Sequence, residues 1–408
     1  MMHCATGIRR LVTCAGDGLG LIEDAALVWE DDRLVWVGPA ENLPESYQAS
    51  DLVQHDLGAE LVVPGLVDAH THLAFGGWRS DEFALRCEGA TYQAIARAGG
   101  GIASTMQKTR ALDEDALYDR ARGFLAEMLR LGVTTVEAKS GYGLTVADEL
   151  KLLRVYDRLR REGPQTLVAT CLAAHVVSPE YRDDRAGYVD LICDTVLPRV
   201  AKEKLAAFCD VFVEDGAFTP DEARTILNAG QALGLRPKLH VDQLHDGGGA
   251  ALAAEVGAIS ADHLEYTSDA GIAAMAEAGV IAVTLPLASL YLRQPPLDAR
   301  RFLESGVPVA VATDFNPGSA PSYHLPFAMT LACVMNRMTP AQALCGATIV
   351  AAQAIGLAEQ VGSLEAGKRA DFVCVDVPSV EHWLYHLRGN AVQRVCVGGT
   401  LLEPNVPC

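Results

Sequence analysis

Residues 64–73, PGLVDAHTHL, carry the pattern that decides the fold. A short apolar run ends in His70-Thr71-His72, and side chains two residues apart on a strand point to the same face. Both imidazoles are therefore expected on one face at the end of a strand. A turn with two exposed histidines would show the same HxH pattern, so the rest of the chain must decide between the two.

Eight short apolar runs alternate with helical patterns through the middle of the chain. The runs are continuous rather than alternating, which is typical of strands buried on both faces of a parallel sheet. They span 61–67, 132–138, 166–173, 209–213, 237–241, 258–261, 280–285 and 307–312. Helical patterns cover 113–131 and 146–161, and Thr-Pro start signals stand at 219–220 and 339–340. Eight strands, each followed by a helix, predict an α/β fold of the (β/α)8 TIM-like barrel type.

The two ends of the chain have a different pattern. Residues 1–58 and 361–408 contain short alternating strands with turns, and neither segment could bury a core alone. We therefore predict three segments. Residues 1–58 and 361–408 form one small β-sandwich domain together, and residues 59–360 form the barrel.

Further polar residues stand at the ends of other predicted strands. His175 closes the third run, His240 the fifth, His263 the sixth and Asp314 the eighth. Active sites of such barrels lie at the carboxyl ends of the strands. These residues should therefore converge with His70 and His72 on one axis.

Imidazole nitrogens combined with one carboxylate oxygen suit Zn(II) or Fe(II). The predicted metal ligands are His70, His72, His240 and Asp314, with one position left for water. His175 and His263 would then be free to touch substrate. A second metal usually needs a bridging group such as a modified Lys at the fourth strand, and the run CDVFVEDG (209–216) has none. One metal ion is therefore expected.

Composition excludes several classes of partner. Among 408 residues, 33 Lys and Arg stand against 52 Asp and Glu, giving a formal net charge of −19. Such a chain repels phosphate backbones and anionic lipid, so nucleic acid and membrane surfaces are poor candidates. The 11 cysteines form no CxxC pair and the N-terminus has no signal-like apolar region, which predicts free thiols in the cytoplasm.

Longer motifs resemble one family. They are PGLVDAHTHLAFGGWRSDEFALRCEGATY, EAKSGYGL, LAAHVVSPEY, LHVDQL, SADHLEY and TDFNPGSAP. Together they closely resemble the imidazolonepropionases of the amidohydrolase superfamily, from about residue 61 to 367. HxH is shared across the superfamily, whereas GGWRSDEF, KSGYG and DFNPGS are much more specific.

The resemblance implies hydrolysis of the cyclic amide of 4-imidazolone-5-propanoate to N-formimidoyl-L-glutamate in histidine degradation. Metal-bound hydroxide would attack, with Asp314 or His263 as the base. Matched motif by motif, the metal residues are again His70, His72, His240 and Asp314. The implied substrate contacts are Arg79, Tyr142, His175, Gln243, His263, Asn316, Gly318 and Ser319, of which His175, Gln243 and His263 also count as catalytic together with Asp314.

Physical chemistry supports roles for these residues. The planar guanidinium of Arg79 suits a propionate carboxylate, although pairing with Asp81 or Glu82 is the alternative. Imidazoles such as His175 and His263 can donate hydrogen bonds to a developing oxyanion. The turn at 316–319 offers backbone N–H groups to an anion. Tyr142 stands between two glycines that let the backbone approach a ligand.

Gln243 departs from the pattern of some relatives, which carry Glu at this position. Gln cannot titrate, so it can only hydrogen-bond, and the duty of general base passes to Asp314 or His263. Glu137 and Lys139, two residues apart on the second predicted strand, are expected to form an internal ion pair.

Two other functions remain open from the residues. A ring deaminase of the same superfamily would act on a purine or pyrimidine, but it uses Glu where this chain has Gln243. A non-catalytic barrel would typically lose metal ligands, and this chain keeps all four. The sequence does not choose between zinc and iron, and a homodimer is plausible from the resemblance.

Overall fold

The computed structural model describes residues 1–16, 18–47, 52–90 and 99–403. Its strands form two sheets of eight strands each. One sheet is built from both ends of the chain, and the other is a barrel built from the middle.

The terminal sheet has the order β16-β15-β14-β5-β1-β2-β3, with β4 paired to β1. Its strands are β1 (Met2–Val12), β2 (Leu21–Glu30), β3 (Arg33–Pro39), β4 (Val53–Ala59), β5 (Leu61–Pro64), β14 (Phe372–Val375), β15 (Val392–Val397) and β16 (Thr400–Leu402). The two ends of the chain meet where β5 pairs antiparallel with β14. A core of its own lies within this sheet around Trp29, whose indole N–H donates to the carbonyl of Gly399 at 2.9 Å.

The barrel strands follow one another in chain order and are parallel. They are β6 (Leu66–Thr71), β7 (Val133–Lys139), β8 (Thr166–Ala174), β9 (Phe208–Val213), β10 (Arg236–Val241), β11 (Ser260–His263), β12 (Ile281–Thr284) and β13 (Val309–Val311). Nearly every side chain on them is buried, because helices cover the outer face.

The barrel nearly closes between its first strand and the segment after its last strand. The N–H of Asp314 donates to the carbonyl of His70 at 3.0 Å, and the N–H of His72 donates to that of Phe315 at 2.8 Å. Asp314 has a φ of 54°, so the chain turns sharply as it leaves the sheet. This closure brings Asp314 next to the HxH strand.

Helices connect the barrel strands and pack around them. In the described residues the α-helices are Ser80–Cys87, Ile102–Arg110, Glu114–Arg130, Val146–Glu162, Arg185–Leu191, Leu197–Glu203, Pro220–Ala232, Gly249–Glu255, Asp269–Ala278, Pro286–Leu292, Ala299–Glu304, Leu325–Val334, Pro340–Gly346, Ile349–Ala354 and Val380–Tyr385. Short 3-10 helices span Ala40–Asn42, Glu45–Tyr47 and Pro179–Tyr181, and Ile192–Val196 is a π-helix. The predicted start signals at Thr219 and Thr339 are capping boxes in the structure.

The predicted fold is confirmed, and one predicted run is divided. The run 61–67 contributes β5 to the terminal sheet and only its last residues to the barrel. Gly65 separates the two parts, and its N–H donates to the carbonyl of Asp371 at 2.9 Å. The terminal sheet thus extends past the domain boundary predicted after residue 58. The division into 1–58, 59–360 and 361–408 stays a prediction.

Cysteine chemistry follows the expectation. Every cysteine from Cys4 to Cys396 carries a free thiol, and Cys408 lies outside the described residues. Among the residues with described positions, none of the helices is both long enough and apolar enough to cross a membrane.

Candidate metal centre and active site

Five histidines and one aspartate meet at the carboxyl ends of the barrel strands, as predicted. His70 and His240 have ring centroids 4.5 Å apart, and His72 stacks on His175 at 5.1 Å. His263 lies 5.6 Å from His240 by the same measure. All of these rings are buried. Chain segments more than a hundred residues apart therefore supply one polar cluster.

Asp314 lies between the two histidines of the HxH strand. Its Oδ1 is 3.4 Å from Nε2 of His70 and 3.5 Å from Nε2 of His72. Burial alone would raise the pKa of this carboxyl, but the two imidazoles hold it well below its usual range. Asp314 is thus an ionised oxygen donor beside ring nitrogens.

A row of carboxylates orients the imidazoles from behind. Asp262 Oδ2 is 2.7 Å from Nδ1 of His70, and Asp210 Oδ1 is 3.0 Å from Nδ1 of His240. Each carboxylate accepts the Nδ1 proton, so Nε2 is the nitrogen of each ring that can bind an ion in place of a proton. This carboxylate–histidine arrangement is typical of metal ligands.

Buried ring nitrogens of the histidine cluster that lack a hydrogen-bond partner indicate whether an ion would fit there. Within the part of the chain that the structure describes, Nε2 of His70 and of His240 and Nδ1 of His72 and of His263 have no hydrogen-bond partner. Leaving a buried polar atom unpaired costs about 1–3 kcal/mol, so several together indicate a missing partner. The donor set of imidazoles and a carboxylate fits a divalent transition metal.

Electrostatics also favour a cation here. Burial and Lys139 would lower the pKa of His70, but Asp262 and Asp314 raise it to about 9. A site that stabilises a proton on a buried imidazole also stabilises a metal cation in the same place.

Two overlapping groups of ligand atoms share His70. One contains His70, His72 and Asp314, and the other contains His70, His240 and His263, with atoms within 4.8 Å of one another in each group. The four predicted ligands are therefore spread over both groups. His263, predicted as a substrate contact, is also within reach of the ion position.

A cavity of about 560 Å³ opens on these residues. Its wall includes most of the residues expected to bind substrate, namely Arg79, Tyr142, His175, Gln243, His263, Asn316 and Ser319. His72, His240 and Asp314 lie on the same wall. Candidate metal ligands and candidate substrate contacts thus line one continuous space.

Gly318 is not on the cavity wall, although it was expected to contact substrate. A Cβ atom at this position would lie 1.2 Å from Nη2 of Arg79 and 2.1 Å from its Cζ. The glycine leaves room for the guanidinium, which packs directly against it. Arg79 is buried, and its closest carboxylate oxygen is Oε2 of Glu82 at 3.4 Å from Nε.

The polar groups of the turn at 316–319 are hydrogen-bonded to one another and to the Asp314 carbonyl. Oδ1 of Asn316 accepts the N–H groups of Gly318 and Ser319 at 2.8 Å each. Its amide nitrogen donates to the Asp314 carbonyl at 2.6 Å and to the Ser319 hydroxyl at 2.9 Å. The expectation that these backbone N–H groups are offered to a ligand is therefore corrected. They hold the turn in shape because an Asx side chain competes for them.

The loop with Tyr142 is built around a buried carboxylate. Glu149 accepts N–H groups from Gly141, Gly143 and Leu144 at 2.8–3.0 Å. The Gly141 carbonyl is 3.1 Å from Nδ1 of His175, which directs Nε2 of that ring to the cavity. Burial, helped by nearby His72, lowers the pKa of His175 to about 3. His175 is thus a neutral imidazole near pH 7.

Several residues of the site escaped sequence reasoning. Glu214, after β9, lines the cavity and accepts the N–H of Leu244 at 2.8 Å, which ties it to the loop that carries Gln243. The segment VEDG at the end of the fourth run was a usable signal, because it is polar at a strand end. Asp210 and Asp262 were missed because they stand inside strands rather than at their ends.

Comparisons with known proteins agree with this geometry. Residues 61–402 match the model of the amidohydrolase family. An imidazolonepropionase from Geobacillus kaustophilus is 47% identical over 97% of this chain and 96% of its own length. One from Myxococcus xanthus is 49% identical over 94% and 91%.

Solved structures support the fold. An atrazine chlorohydrolase from Arthrobacter aurescens TC1, solved with zinc, superposes with a TM-score of 0.74 at 18% identity, covering 98% of this chain and 95% of that one. An adenosine deaminase from Xanthomonas campestris with bound zinc gives 0.70 at 17%, covering 98% and 92%. On these matches, the chain belongs to the amidohydrolase family and, within it, to the imidazolonepropionases.

Proposed function

We propose that this protein hydrolyses the cyclic amide of 4-imidazolone-5-propanoate to N-formimidoyl-L-glutamate, a step in histidine degradation. The supporting relatives are imidazolonepropionases, 44–49% identical over nearly the whole chain. The observation that carries the proposal is the buried guanidinium of Arg79 in the same cavity as the histidine cluster. A small ring with a carboxylate tail needs both features at once.

The cofactor in this proposal is one divalent transition metal held by His70, His72, His240 and Asp314. When bound, such an ion supplies Lewis acidity toward the ring carbonyl and the attacking water. Zinc and iron both suit three imidazoles and a carboxylate. The zinc in two structures of similar fold favours zinc as the first ion to try.

The side chains divide the remaining work. Asp314 is the ionised group that takes the proton of the attacking water, and His263 is the alternative base. Neutral His175 donates its one N–H to the Gly141 carbonyl, so its Nε2 accepts a hydrogen bond, from a substrate N–H or from the attacking water, and the expectation that it donates to the oxyanion is corrected. As the carbonyl carbon–nitrogen bond breaks, the proton returns to the departing nitrogen and the ring opens.

Other residues hold the substrate. Arg79 receives the propionate carboxylate, and its guanidinium fork matches that group. Tyr142, Gln243 and Ser319 line the cavity and can hydrogen-bond the ring or its tail. Asn316 and Gly318 contribute mainly by shaping the turn and by seating Arg79.

The test is product identification. Freshly generated 4-imidazolone-5-propanoate should gain one water in the presence of the metal-loaded protein, and the product should be N-formimidoyl-L-glutamate. Purines and pyrimidines should release no ammonia. Ammonia release from a purine or pyrimidine, with no ring opening of the imidazolone, would instead identify a ring deaminase.

The setting in the cell follows from the same proposal. We propose a cytoplasmic enzyme that takes a small anionic substrate and forms a homodimer. The acidic chain and free thiols support the first part. Size-exclusion chromatography with light scattering decides the second part.

A further inference from the structure

Five charged side chains are completely buried inside the barrel, next to the histidine cluster. They are Glu137, Lys139, Asp210, Lys238 and Asp262. The sequence predicted the pair of Glu137 and Lys139 only. Charged residues are almost never fully buried without partners, so the arrangement of this cluster needs a reason.

Lys139 is the centre of the cluster. Its Nζ lies 2.8 Å from Oε1 of Glu137, 2.7 Å from Oδ2 of Asp210 and 3.3 Å from Oδ2 of Asp262. Its ammonium donates hydrogen bonds to Glu137 and Asp210, and Asp262 completes the group of carboxylates as an ion-pair partner. Lys139 is completely buried and is not on the cavity wall, so it is not placed to contact a substrate.

Two of those carboxylates are the ones that orient candidate metal ligands. Asp210 holds Nδ1 of His240 at 3.0 Å, and Asp262 holds Nδ1 of His70 at 2.7 Å. A single ammonium thus joins both carboxylate–histidine pairs. Lys238 differs, since its Nζ is 3.9 Å from Glu137 and from Asp262, and Asp210 is not among its ion-pair partners in the described structure.

We propose that Lys139 is a positioning residue for metal binding. It fixes Asp210 and Asp262 relative to each other, so that His240 and His70 present Nε2 to one point. Without it, the two carboxylates on β9 and β11, the strands on either side of β10, would repel each other and each imidazole would lose its fixed direction. The proposal rests on the metal centre of the proposed function, and it assigns Lys139 no contact with metal or substrate.

Simple electrostatics predicts the opposite effect. Removing a buried positive charge near a cation site should strengthen binding of a divalent ion, because repulsion falls. Loss of orientation should weaken binding, since groups behind metal ligands typically contribute about 10–100-fold in affinity. The sign of the change therefore separates positioning from charge.

The experiment compares Lys139→Met with Lys238→Met, a matched control that loses the same buried charge without unlinking the two pairs. Metal is removed from each full-length protein, and Zn²⁺ affinity is measured by competition with a chromogenic chelator. Thermal unfolding of the metal-free forms checks folding. The visible spectrum of Co²⁺-loaded protein reports ligand geometry.

We expect Lys139→Met to bind Zn²⁺ at least about tenfold more weakly and to change the Co²⁺ spectrum. Lys238→Met should bind as tightly as the unsubstituted protein or more tightly. Equal or tighter binding by folded Lys139→Met, or equal weakening in both variants, would overturn the proposal.

A second variant covers the case in which Lys139→Met does not fold. The double variant Lys139→Met/Glu137→Gln keeps the net charge of the cluster and removes the same link. It should show the same weakening, and unsubstituted affinity in that variant would overturn the proposal. Failure of the unsubstituted protein to bind any of these metals would instead contradict the proposed function.

Discussion

Because Gly318 has no side chain, the guanidinium of Arg79 can pack directly against its backbone. The backbone of Gly318 is outside the left-handed region, so alanine is tolerated there in conformation, and only the space is lacking. We expect Gly318→Ala to displace the guanidinium and to raise KM for the imidazolone about tenfold or more, because the bidentate pair proposed between Arg79 and the propionate is lost. The kcat should change less. Steady-state kinetics measure both.

A double-mutant comparison isolates this effect. In an Arg79→Ala background, Gly318→Ala should add almost nothing, since the displaced group is already gone. Gly123→Ala, at a helix position with open space around it, is the control and should leave KM unchanged. A full extra loss in the Arg79→Ala background would mean that Gly318 itself touches the substrate.

Substitutions of Asp314 and of Gln243 are expected to have opposite effects on turnover. Asp314 is ionised and lies beside two imidazoles, so Asp314→Asn should abolish both metal binding and turnover. Gln243 lines the cavity and cannot titrate, so Gln243→Glu should keep measurable turnover. Metal analysis and kinetics on each variant check both. Strong activity in Asp314→Asn with metal still bound would remove Asp314 from the role of base.

Some of these site residues could be predicted from the sequence and others could not. His70, His72, His240 and Asp314 stand at strand ends, where position along the chain already reveals position in the barrel. Arg79 against Gly318 is a contact between segments about 240 residues apart, and no pattern along the chain predicts it. Asp210 and Asp262 look like ordinary strand residues until the barrel closes around Lys139.

At the scale of elements, the barrel strands were predictable because both of their faces are buried. Continuous apolar runs then mark them clearly. Because the run 61–67 is apolar throughout, its sequence does not show that β5 belongs to the terminal sheet and β6 to the barrel. Gly65 turns the chain there, and a Cβ on it would come within 2.2 Å of the Thr134 hydroxyl. That close approach depends on a distant strand and is invisible in the run itself.

The carboxyl group of Asp371, beside strand β14 of the terminal sheet, has a shifted pKa that can be tested. Asp371, just before this strand, is buried, and its Oδ2 has no hydrogen-bond partner among the described residues. Burial outweighs Arg369 and the N–H of Gly398 and raises the pKa of this carboxyl from 3.8 to about 6. A raised acid pKa means that its contribution to stability is complete at about pH 4 and is lost as pH rises through about 6.

In the Asp371→Asn variant, the amide that replaces the carboxyl group stays neutral at every pH. The stability of this variant relative to the unsubstituted protein should therefore rise between about pH 4 and about pH 8, by at most about 3 kcal/mol. Thermal unfolding across that range measures the trend. Asp376→Asn removes a charge from a half-exposed side chain on the same segment and serves as control. A relative stability that falls with pH would show that the Asp371 carboxylate supports the fold.

At the scale of the whole molecule, the charge of −19 poses a problem for an anionic substrate. Glu214 and Asp215 lie on the cavity wall with Arg79, so the wall is not uniformly positive. In the proposed function, Arg79 and the metal ion must therefore supply the attraction locally. Without the ion, the cavity should lose both its chemistry and much of its affinity for anions.

Metal dependence of imidazolone hydrolysis is accordingly the most direct test. The ultraviolet absorbance of freshly generated 4-imidazolone-5-propanoate is followed with metal-loaded protein, with chelator-treated protein and after zinc or iron is restored. We expect decay well above the spontaneous rate with metal, background decay after chelation, and recovery on reloading. Background decay with the metal-loaded protein, or full activity in protein shown to hold no metal, would contradict the proposed function.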